Sequence, residues 1–279
     1  MNKQIATSLL FLIYFHSSIG QPPNHLDAVK ATHKKGNMFF FWGWNKEKYT
    51  TSDIHFWGKN YDFTLNDVAA KDKQTRFDPE MYFGITNITI PQYNWRIGYY
   101  LSDKYQISFG FDHMKYVMVN DQPSTINGYI HNSGTQYDGD YNNQNFTIAQ
   151  DFLLFEHTDG LNYINSEIRR NDEIWGNKYL DISVNEGLGL GILFPKTNST
   201  LMHNDRNDEW HVSGFGIAAV GALQARFLKY IFIQSELKAG YINMPDIKTT
   251  KYSTDHASQQ FSFFQYNIVF GAEFPIFKK

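Results

Sequence analysis

Apolar and polar residues alternate with a period of two through residues 261–277. One face of this segment carries Phe264, Tyr266, Ile268, Phe270, Ala272, Phe274 and Ile276. The opposite face carries mainly Gln265, Asn267, Gly271 and Glu273. This alternation predicts a β-strand, because successive side chains of a strand point to opposite faces. The segment exceeds the ~5–6 residues of a typical soluble strand and is long enough for a transmembrane strand of about 9–11 residues.

The same pattern recurs in six earlier segments, namely residues 37–45, 93–101, 105–111, 179–194, 210–227 and 231–243. The connections at 102–104 and 228–230 are tight turns, which are typical of the periplasmic side of a barrel. Residues 150–170 form either one long strand or two strands with a turn at 158–160. Because bacterial barrels have an even number of strands, one strand here gives a total of about eight. We therefore predict an all-β, antiparallel transmembrane barrel.

A barrel of ten strands is the alternative. Two strands within residues 150–170 would require one more strand elsewhere in the chain. Residues 53–57 and 61–65 resemble an extended hairpin that would supply it.

Glu186 breaks the otherwise apolar face of residues 179–194. A carboxylate that faces lipid in mid-membrane is unfavourable. Either a β-bulge turns Glu186 inward or the residue lies near a membrane interface.

Four long segments lie on the external side in this topology: residues 46–90, 119–147, 195–209 and 244–260. They are polar and rich in Asn, Asp, Gly, Ser and Thr, which predicts solvated loops. Long extracellular loops opposite short turns are the asymmetry typical of outer-membrane barrels.

Residues 1–20 are typical of a signal peptide. Lys3 provides a positive start, residues 9–14 form a short apolar core, and residues 18–20 are suited to cleavage. The apolar core is too short to span a bilayer comfortably. We expect export of the chain and a single barrel domain over residues 21–279, located in the bacterial outer membrane.

The composition argues against several kinds of functional site. The absence of cysteine excludes disulfides, thiolate metal sites and cysteine nucleophiles. A net charge of −3 with 19% charged residues gives no indication of nucleic-acid binding. The histidines lack the close spacing typical of metal ligands, so we expect no metal and no cofactor.

Nine charged residues fall on the inward faces of the predicted strands: Arg96, Asp112, Glu167, Arg169, Asp181, Arg226, Glu236, Lys238 and Glu273. The interior of an eight-stranded barrel is just wide enough to be filled by side chains. Charges buried there must pair and hydrogen-bond, because an isolated buried charge is very unfavourable. The five acids and four bases nearly balance, which favours a plug of salt bridges over a narrow polar channel.

His211 and Ser213 are the candidate catalytic residues. A histidine on the same strand face as a serine can accept the serine proton during acyl transfer. The alternation predicts that both side chains point outward near the external membrane edge, where a lipid substrate would lie. No orienting acid is apparent, since Glu209 lies close to a loop and Glu236 points inward. We therefore expect a protein that is not an enzyme.

An outer-leaflet lipid A acyl hydrolase is the alternative to a protein without catalysis. The His-x-Ser pair resembles that of outer-membrane lipid A deacylases, which are small eight-stranded barrels. The surrounding motif of that family is absent from this chain.

Four runs of the chain carry a resemblance to a known family: FFFWGWN (39–45), DHMKYVM (112–118), FEHTDGLNY (155–163) and ELKAGYINMPDI (236–247). They resemble outer-membrane β-barrel proteins of Bacteroidota-type bacteria. The resemblance implies a fold and a location, and it carries over no functional residue. Gly271, Phe274 and Ile276 also resemble the barrel-assembly signal of outer-membrane proteins, although Lys278 and Lys279 follow them.

We expect a monomeric barrel with a structural or surface-interaction role. Outer-membrane lipid and lipopolysaccharide are its expected surroundings, and the barrel-assembly machinery is its expected partner during insertion. A surface ligand-binding protein or adhesin that uses residues 46–90 and 119–147 is an alternative. The sequence identifies no extracellular ligand.

Overall fold

The computed structural model describes residues 33–84, 86–87, 89–202 and 204–276. The predicted signal peptide and residues 277–279 lie outside the described residues. The strands are β1 (Asn37–Tyr49), β2 (Ser52–Trp57), β3 (Tyr61–Val68), β4 (Ala70–Lys71), β5 (Tyr93–Tyr100), β6 (Tyr105–Asp112), β7 (Tyr116–Met118), β8 (Gln122–Ile130), β9 (Gly139–Ile148), β10 (Leu153–His157), β11 (Tyr163–Gly176), β12 (Leu180–Leu193), β13 (Lys196–Leu201), β14 (Asn207–Trp210), β15 (Gly214–Phe227), β16 (Ile231–Lys248) and β17 (His256–Pro275). A short helix, α1, spans Pro79–Phe83. In the described part of the chain, no helix is both long and apolar enough to cross a membrane.

Eight of the described strands close into an antiparallel barrel, in the order β1, β5, β6, β11, β12, β15, β16, β17 and back to β1. Closure is direct, because β1 pairs with β17 from Asn37 opposite Pro275 to Tyr49 opposite Phe263. The predicted eight-stranded barrel is therefore confirmed. We call the end that carries connections 101–104, 177–179 and 228–230 the turn end, and the opposite end the outer end.

The outer wall of the barrel is apolar, as a membrane-spanning barrel requires. Exposed apolar side chains on this wall include Phe40, Ile97, Phe109, Ile168, Leu188, Leu190, Phe215, Ile217, Leu223, Leu237, Phe264 and Phe270. Between them, the alternate residues point inward and are mostly polar and buried. The fold is thus a transmembrane β-barrel with an apolar exterior and a polar interior.

Residues 150–170 contain two strands, of which only the second belongs to the barrel. β10 pairs with β7 and β13 outside the ring, whereas β11 pairs with β6 and β12 within it. The suspected hairpin at 53–57 and 61–65 exists as β2 and β3, and it also lies outside the ring. The ten-stranded alternative is therefore wrong, because alternation reveals a strand without revealing which sheet it joins.

Glu186 stays in the regular ladder, opposite Arg170 on one side and Gly221 on the other. The predicted bulge is absent at this position. Arg170 pairs in turn with Tyr105, the first residue of β6 after the connection 101–104. The bulge is therefore the wrong explanation, and Glu186 lies on the regular outward face as the seventh of the 14 residues of β12. Its position near a membrane interface stays a prediction.

The long connections at the outer end are not the solvated loops that their composition predicts. Within the described residues they contain nine strands, β2–β4, β7–β10, β13 and β14. One sheet continues from the outer end of β17 into β2, β3, β8 and β9. A second sheet has the order β14, β13, β10, β7, β4. We call these two packed sheets the outer sandwich.

The outer sandwich has an apolar core. Phe56 and Phe63 of the first sheet stack with ring centroids 5.3 Å apart, and Phe155 of the second sheet packs edge-on against Phe56 at 5.8 Å. All three side chains are at most 2% exposed. Burial of each contributes about 1.5–3 kcal/mol relative to exposure. The sheets are therefore held together by the same force that stabilises a soluble domain.

β17 runs through both parts of the molecule, and the polarity of its two faces reverses along the way. Toward the outer end, Phe261 and Phe263 point inward and are buried, while Ser262 points outward. One position further, Phe264 points outward and is 47% exposed, whereas Gln265 points inward and is buried. The period of two is unbroken, so the reversal marks the level at which water gives way to lipid. We call this boundary the polarity switch.

Candidate functional site

All nine charged residues predicted for the lumen point into the barrel, and each is at most 4% exposed. They form two groups. The central group contains Arg96, Asp112, Glu167, Arg169, Glu236 and Lys238. The second group contains Asp181, Arg226 and Glu273.

Glu167 lies at the centre of the larger group and contacts three cations. Its carboxylate is 2.9 Å from Arg96 Nη2, 2.6 Å from Arg169 Nε and 3.0 Å from Lys238 Nζ. Lys238 Nζ also lies 2.7 Å from an Asp112 oxygen. Charge-assisted hydrogen bonds of this kind are the strong ones, and each cation here has more than one acidic neighbour.

Amide side chains satisfy much of the remaining hydrogen-bonding capacity. Glu236 pairs with Arg169 and accepts hydrogen bonds from Gln234 at 2.7 Å and Asn267 at 2.9 Å. Asn165 accepts from the central guanidinium of Arg96 at 2.7 Å. Because the desolvated charges depend on one another, loss of one partner is expected to cost about 3–5 kcal/mol.

Apolar side chains flank the central group on both sides, together with buried polar side chains such as Glu47 and Asn185. Toward the turn end lies a layer formed by Phe39, Phe41, Tyr100, Phe232 and Val269. Toward the outer end the lumen meets the sandwich core through Tyr163 and Phe263, whose ring centroids are 6.3 Å apart. Below the apolar layer, Arg226 contacts Asp181 at 3.0 Å and Glu273 at 2.8 Å. Side chains therefore fill the barrel along its length.

His211 and Ser213 do not form a base and nucleophile pair. Residues 211–213 separate β14 from β15, so the strand predicted over 210–227 is interrupted. Ser213 is 1% exposed rather than outward, and its Oγ donates to the His211 carbonyl oxygen at 3.4 Å. His211 Nε2 instead bonds to Asp246 at 2.9 Å. The prediction of a shared outward face is wrong, because the irregular segment breaks the alternation on which it rested.

Asp246 is an acid that the sequence did not reveal, and it serves two histidines. One oxygen bonds to His211 Nε2 and the other to His256 Nδ1, while His256 Nε2 faces the Ser253 carbonyl oxygen at 3.0 Å. Partial burial would raise the pKa of the Asp246 carboxyl, but hydrogen bonds from both histidines outweigh it and hold the pKa below its usual value. The arrangement is a hydrogen-bonded cluster of one carboxylate and two histidines outside the polarity switch.

The residues of the suspected assembly signal lie at the turn end. Phe274 and Ile276 are 45% and 43% exposed, and the Cα of Gly271 lies against the Phe232 ring, where a Cβ would be 2.3 Å from a ring carbon. Their role in barrel assembly stays a prediction.

A cavity of about 520 Å³ lies in the outer sandwich where four connections meet. Its described walls come from β2–β3 (59–61), β8–β9 (131–133), β13–β14 (202 and 204) and β16–β17 (252–255). Loops that converge at one end of a β-sandwich form the binding sites of antibody variable domains. The volume lies within the range of about 300–1,000 Å³ that is typical of small-molecule sites. We call this space the four-loop cavity.

The lining of the four-loop cavity is polar. Amide and hydroxyl groups come from Asn60, Asn132, Ser133, Asn204, Ser253 and Thr254. Tyr252 adds an aromatic ring that is 53% exposed. Asp255 is 6% exposed, and its two oxygens accept from the hydroxyls of Thr250 at 2.9 Å and Thr254 at 2.7 Å. The cavity therefore offers donors, acceptors and one stacking surface in fixed positions.

The charges around the cavity nearly cancel. Lys59 and Asp255 have opposite signs, and His131 Nε2 lies 3.0 Å from an Asp140 oxygen. Burial, with the Asp255 carboxylate nearby, raises the pKa of Tyr61, so its hydroxyl remains neutral at physiological pH. Such a lining suits an uncharged polar ligand better than an anion. Across the described chain, no group of three or more His, Cys, Asp or Glu residues is placed to hold a metal ion.

The sequence pointed to only half of this cavity. Residues 46–90 and 119–147, which the sequence favours for ligand binding, contribute two of its connections. Residues 195–209 and 244–260 contain the other two and were predicted only to be external. Each connection has the composition of a turn, which predicts where the chain reverses. That composition does not predict which turns meet, because the meeting depends on how the two sheets pack.

No family model matches the chain, and no curated protein matches it. Three solved structures are similar over most of their length. Ail, the attachment invasion locus protein of Yersinia pestis in complex with the heparin analogue sucrose octasulfate, has 7% identity and a TM-score of 0.33, covering 86% of this chain and 99% of Ail. The outer membrane protein OprG of Pseudomonas aeruginosa has 9% identity and a TM-score of 0.38, covering 88% and 98%. The N-terminal β-barrel domain of Pseudomonas aeruginosa OprF has 8% identity and a TM-score of 0.31, covering 87% and 100%.

The barrel itself rests on the strand pairings of this chain rather than on these distant similarities. The predicted relation to proteins of Bacteroidota-type bacteria stays a prediction. What the geometry establishes is a transmembrane β-barrel with a filled interior and a packed β-sandwich at its outer end.

Proposed function

We propose that this protein is a bacterial outer-membrane surface protein in which the barrel anchors a rigid recognition platform, the outer sandwich, outside the cell. The apolar outer wall supports a membrane location, and the sandwich core supports a fixed rather than a mobile surface. In this proposal, residues 1–20 direct export. The barrel-assembly machinery reads Gly271, Phe274 and Ile276 during insertion, and the protein acts as a monomer.

The filled interior supports an anchor rather than a channel. The two charged groups are paired and buried, and hydrogen-bonded amide side chains such as Asn185 and Gln234 fill the space beside the apolar layer. Barrels of eight strands have an interior that side chains just fill. In this proposal the nine charged residues hold the barrel wall together and transport nothing.

The four-loop cavity is the observation that carries the recognition role. We infer that its ligand is a neutral saccharide. Amide and carboxylate side chains recognise the neighbouring hydroxyls of a sugar, and a tyrosine ring presents an apolar surface against which a sugar ring can pack. Fixed loops on a rigid scaffold are the usual place for such contacts.

A glycan array with the detergent-solubilised protein tests this function. We expect binding to a subset of neutral glycans, and we expect Tyr252→Ala and Asn60→Ala each to weaken that binding at least tenfold. Tyr179→Ala is the matched control, because Tyr179 has a similar exposure of 59% but lies at the turn end. Absence of any glycan binding by the wild-type protein, or equal binding by Tyr252→Ala, would overturn the proposal.

A lipid hydrolase has no comparable support. Ser213 is buried, and its hydroxyl bonds to a backbone carbonyl rather than to the His211 imidazole. A nucleophile requires a base within hydrogen-bond reach and access to substrate. The proposal is therefore limited to binding.

A further inference from the structure

Large apolar side chains in and beside α1 are exposed on the outside of the molecule. Phe77 is 72% exposed, Phe83 is 63% exposed and Met81 is 38% exposed. None of the residues of α1 is buried. Exposed apolar patches rimmed by polar residues are typical of membrane or protein contacts. We call residues 76–84 the anchor segment.

The anchor segment lies on the lipid-facing wall of the barrel. The ring of Trp44 on β1 is 5.6 Å from the ring of Tyr82 and 5.3 Å from that of Phe83. On the barrel wall, the same Trp44 ring is 5.8 Å from Phe270 of β17. Phe270 belongs to the apolar band of the barrel, so the anchor segment continues that band.

Local contacts give the anchor segment a defined shape. Asp78 caps α1, because its side chain accepts from the backbone N–H groups of Glu80 at 2.9 Å and Met81 at 3.1 Å. The Tyr82 hydroxyl donates to the Thr75 carbonyl oxygen at 2.8 Å. The apolar side chains are thus presented outward by a structured turn of helix.

The outward residues of β1 indicate the depth of the anchor segment relative to the apolar band of the barrel. These are apolar from the turn end as far as Trp44, and the next two outward positions are the exposed Lys46 and Lys48. Arg76, at the start of the anchor segment, is also exposed. Cations just outside an apolar band are placed where anionic lipid headgroups lie.

We propose that the anchor segment is an interfacial membrane anchor that inserts Phe77 and Phe83 among the acyl chains of the outer leaflet. Lys46, Lys48 and Arg76 contact anionic headgroups at the same level. Short apolar segments flanked by basic residues bind membrane surfaces in this way. The inference rests on the barrel spanning a bilayer and is independent of the four-loop cavity.

Site-directed fluorescence tests the insertion, because the chain has no cysteine and accepts a single labelled one. Phe83→Cys, labelled with the fluorophore NBD, is reconstituted into phosphatidylcholine vesicles with and without brominated acyl chains. Leu188→Cys is the lipid-facing control, since Leu188 is 70% exposed on the barrel wall. Tyr129→Cys is the water-facing control on the outer sandwich. Retained heat-modifiable gel mobility establishes that each labelled barrel is folded.

We expect the label at position 83 to behave like the label at 188. Brominated lipid should quench it at least twofold, and aqueous iodide should quench it weakly. Iodide quenching equal to that at 129 would overturn the proposal. Protection from both quenchers would also overturn it, because a second protein chain would then cover the segment. Loss of bromolipid quenching at 188 would instead overturn the membrane location of the barrel.

Charge reversal tests the headgroup contact. In vesicles that contain phosphatidylglycerol, Lys46→Glu with Lys48→Glu should reduce bromolipid quenching at position 83 by about half and leave quenching at 188 unchanged. Unchanged quenching at 83 would overturn the contact with anionic headgroups.

Discussion

The barrel and the outer sandwich are built from antiparallel strands of one chain and bury opposite kinds of side chain. In the barrel, charged and amide groups such as Glu167 face inward, and residues such as Leu188 face outward. In the sandwich, Phe56 and Phe155 face inward and polar residues face outward. The strand geometry is the same in both parts. The surrounding medium decides which face of a strand is buried. β17 shows both outcomes within its continuous pairing to β16 from Gln259 to Ala272.

The two interiors are therefore vulnerable to different substitutions. An apolar core is damaged by a cavity or a buried charge, whereas a core of paired charges is damaged by loss of one member. A charge introduced into the sandwich core, or a charge removed from the lumen, therefore tests each part of the molecule separately.

The largest effect is expected from a charge in the sandwich core. Phe63→Asp removes a fully buried ring and should lower sandwich stability by more than about 4 kcal/mol, since loss of a buried Phe alone costs about 3–5 kcal/mol. Proteolysis of the external strands in intact vesicles measures this loss. Thr64→Asp, one residue away and facing outward, should change little. Full protease resistance of the Phe63→Asp protein would show that burial of this side chain does not stabilise the outer sandwich.

The next effect concerns the lumen. Glu167→Gln leaves Arg96, Arg169 and Lys238 without their shared carboxylate, and we expect a loss of about 3–5 kcal/mol in unfolding free energy. Urea titration followed by heat-modifiable mobility measures it. Glu186→Gln is the control, because Glu186 lies on the outward face of β12, away from the lumen. Equal stability of the two variants would contradict the role given to the central group.

A cation introduced on the outward face of β17 should destabilise the protein on the lipid side of the polarity switch and have almost no effect on the water side. Ile268→Arg places a charge in lipid and should cost about 2–4 kcal/mol. Ser258→Arg, on the same face but in water, should stay within about 0.5 kcal/mol of wild type. Refolding equilibria in vesicles give both values. Similar costs at the two positions would mean that the two ends of this face share one environment.

The smallest effect near neutral pH is a pH dependence of the sandwich. His157 is fully buried, and burial lowers its pKa to about 3, below the ordinary value of about 6.5. The unfolded state therefore binds the proton first as the pH falls below about 6.5. Stability should decrease by up to about 1.4 kcal/mol per pH unit down to about pH 3. Hydrogen exchange of the external strands at several pH values measures this slope, and His157→Leu should reduce it. An unchanged slope in that variant would assign the effect to other groups.

The barrel was predictable because lipid imposes a long, regular pattern. Outward positions on β12 and β17 repeat over enough residues for the register to be read from the sequence, and the inward charges follow from it. The sandwich was not predictable, since β13 and β14 contribute few apolar residues among polar and turn-forming ones. Ser213 shows a second limit: a three-residue interruption ends the alternation, and the sequence contains no clear sign of it.

Spin-label accessibility along β17 tests whether the polarity of its two faces reverses between Phe263 and Phe264. Because the chain has no native cysteine, single cysteines can be introduced and labelled with a nitroxide. The labelled outward positions are 258, 260, 262, 264, 266, 268 and 270. A water-soluble nickel relaxant should reach positions 258–262, and dissolved oxygen should dominate at positions 264–270, with the change in a single step. Equal access of the nickel relaxant to all seven positions would show that the outward face of β17 does not pass from water into lipid.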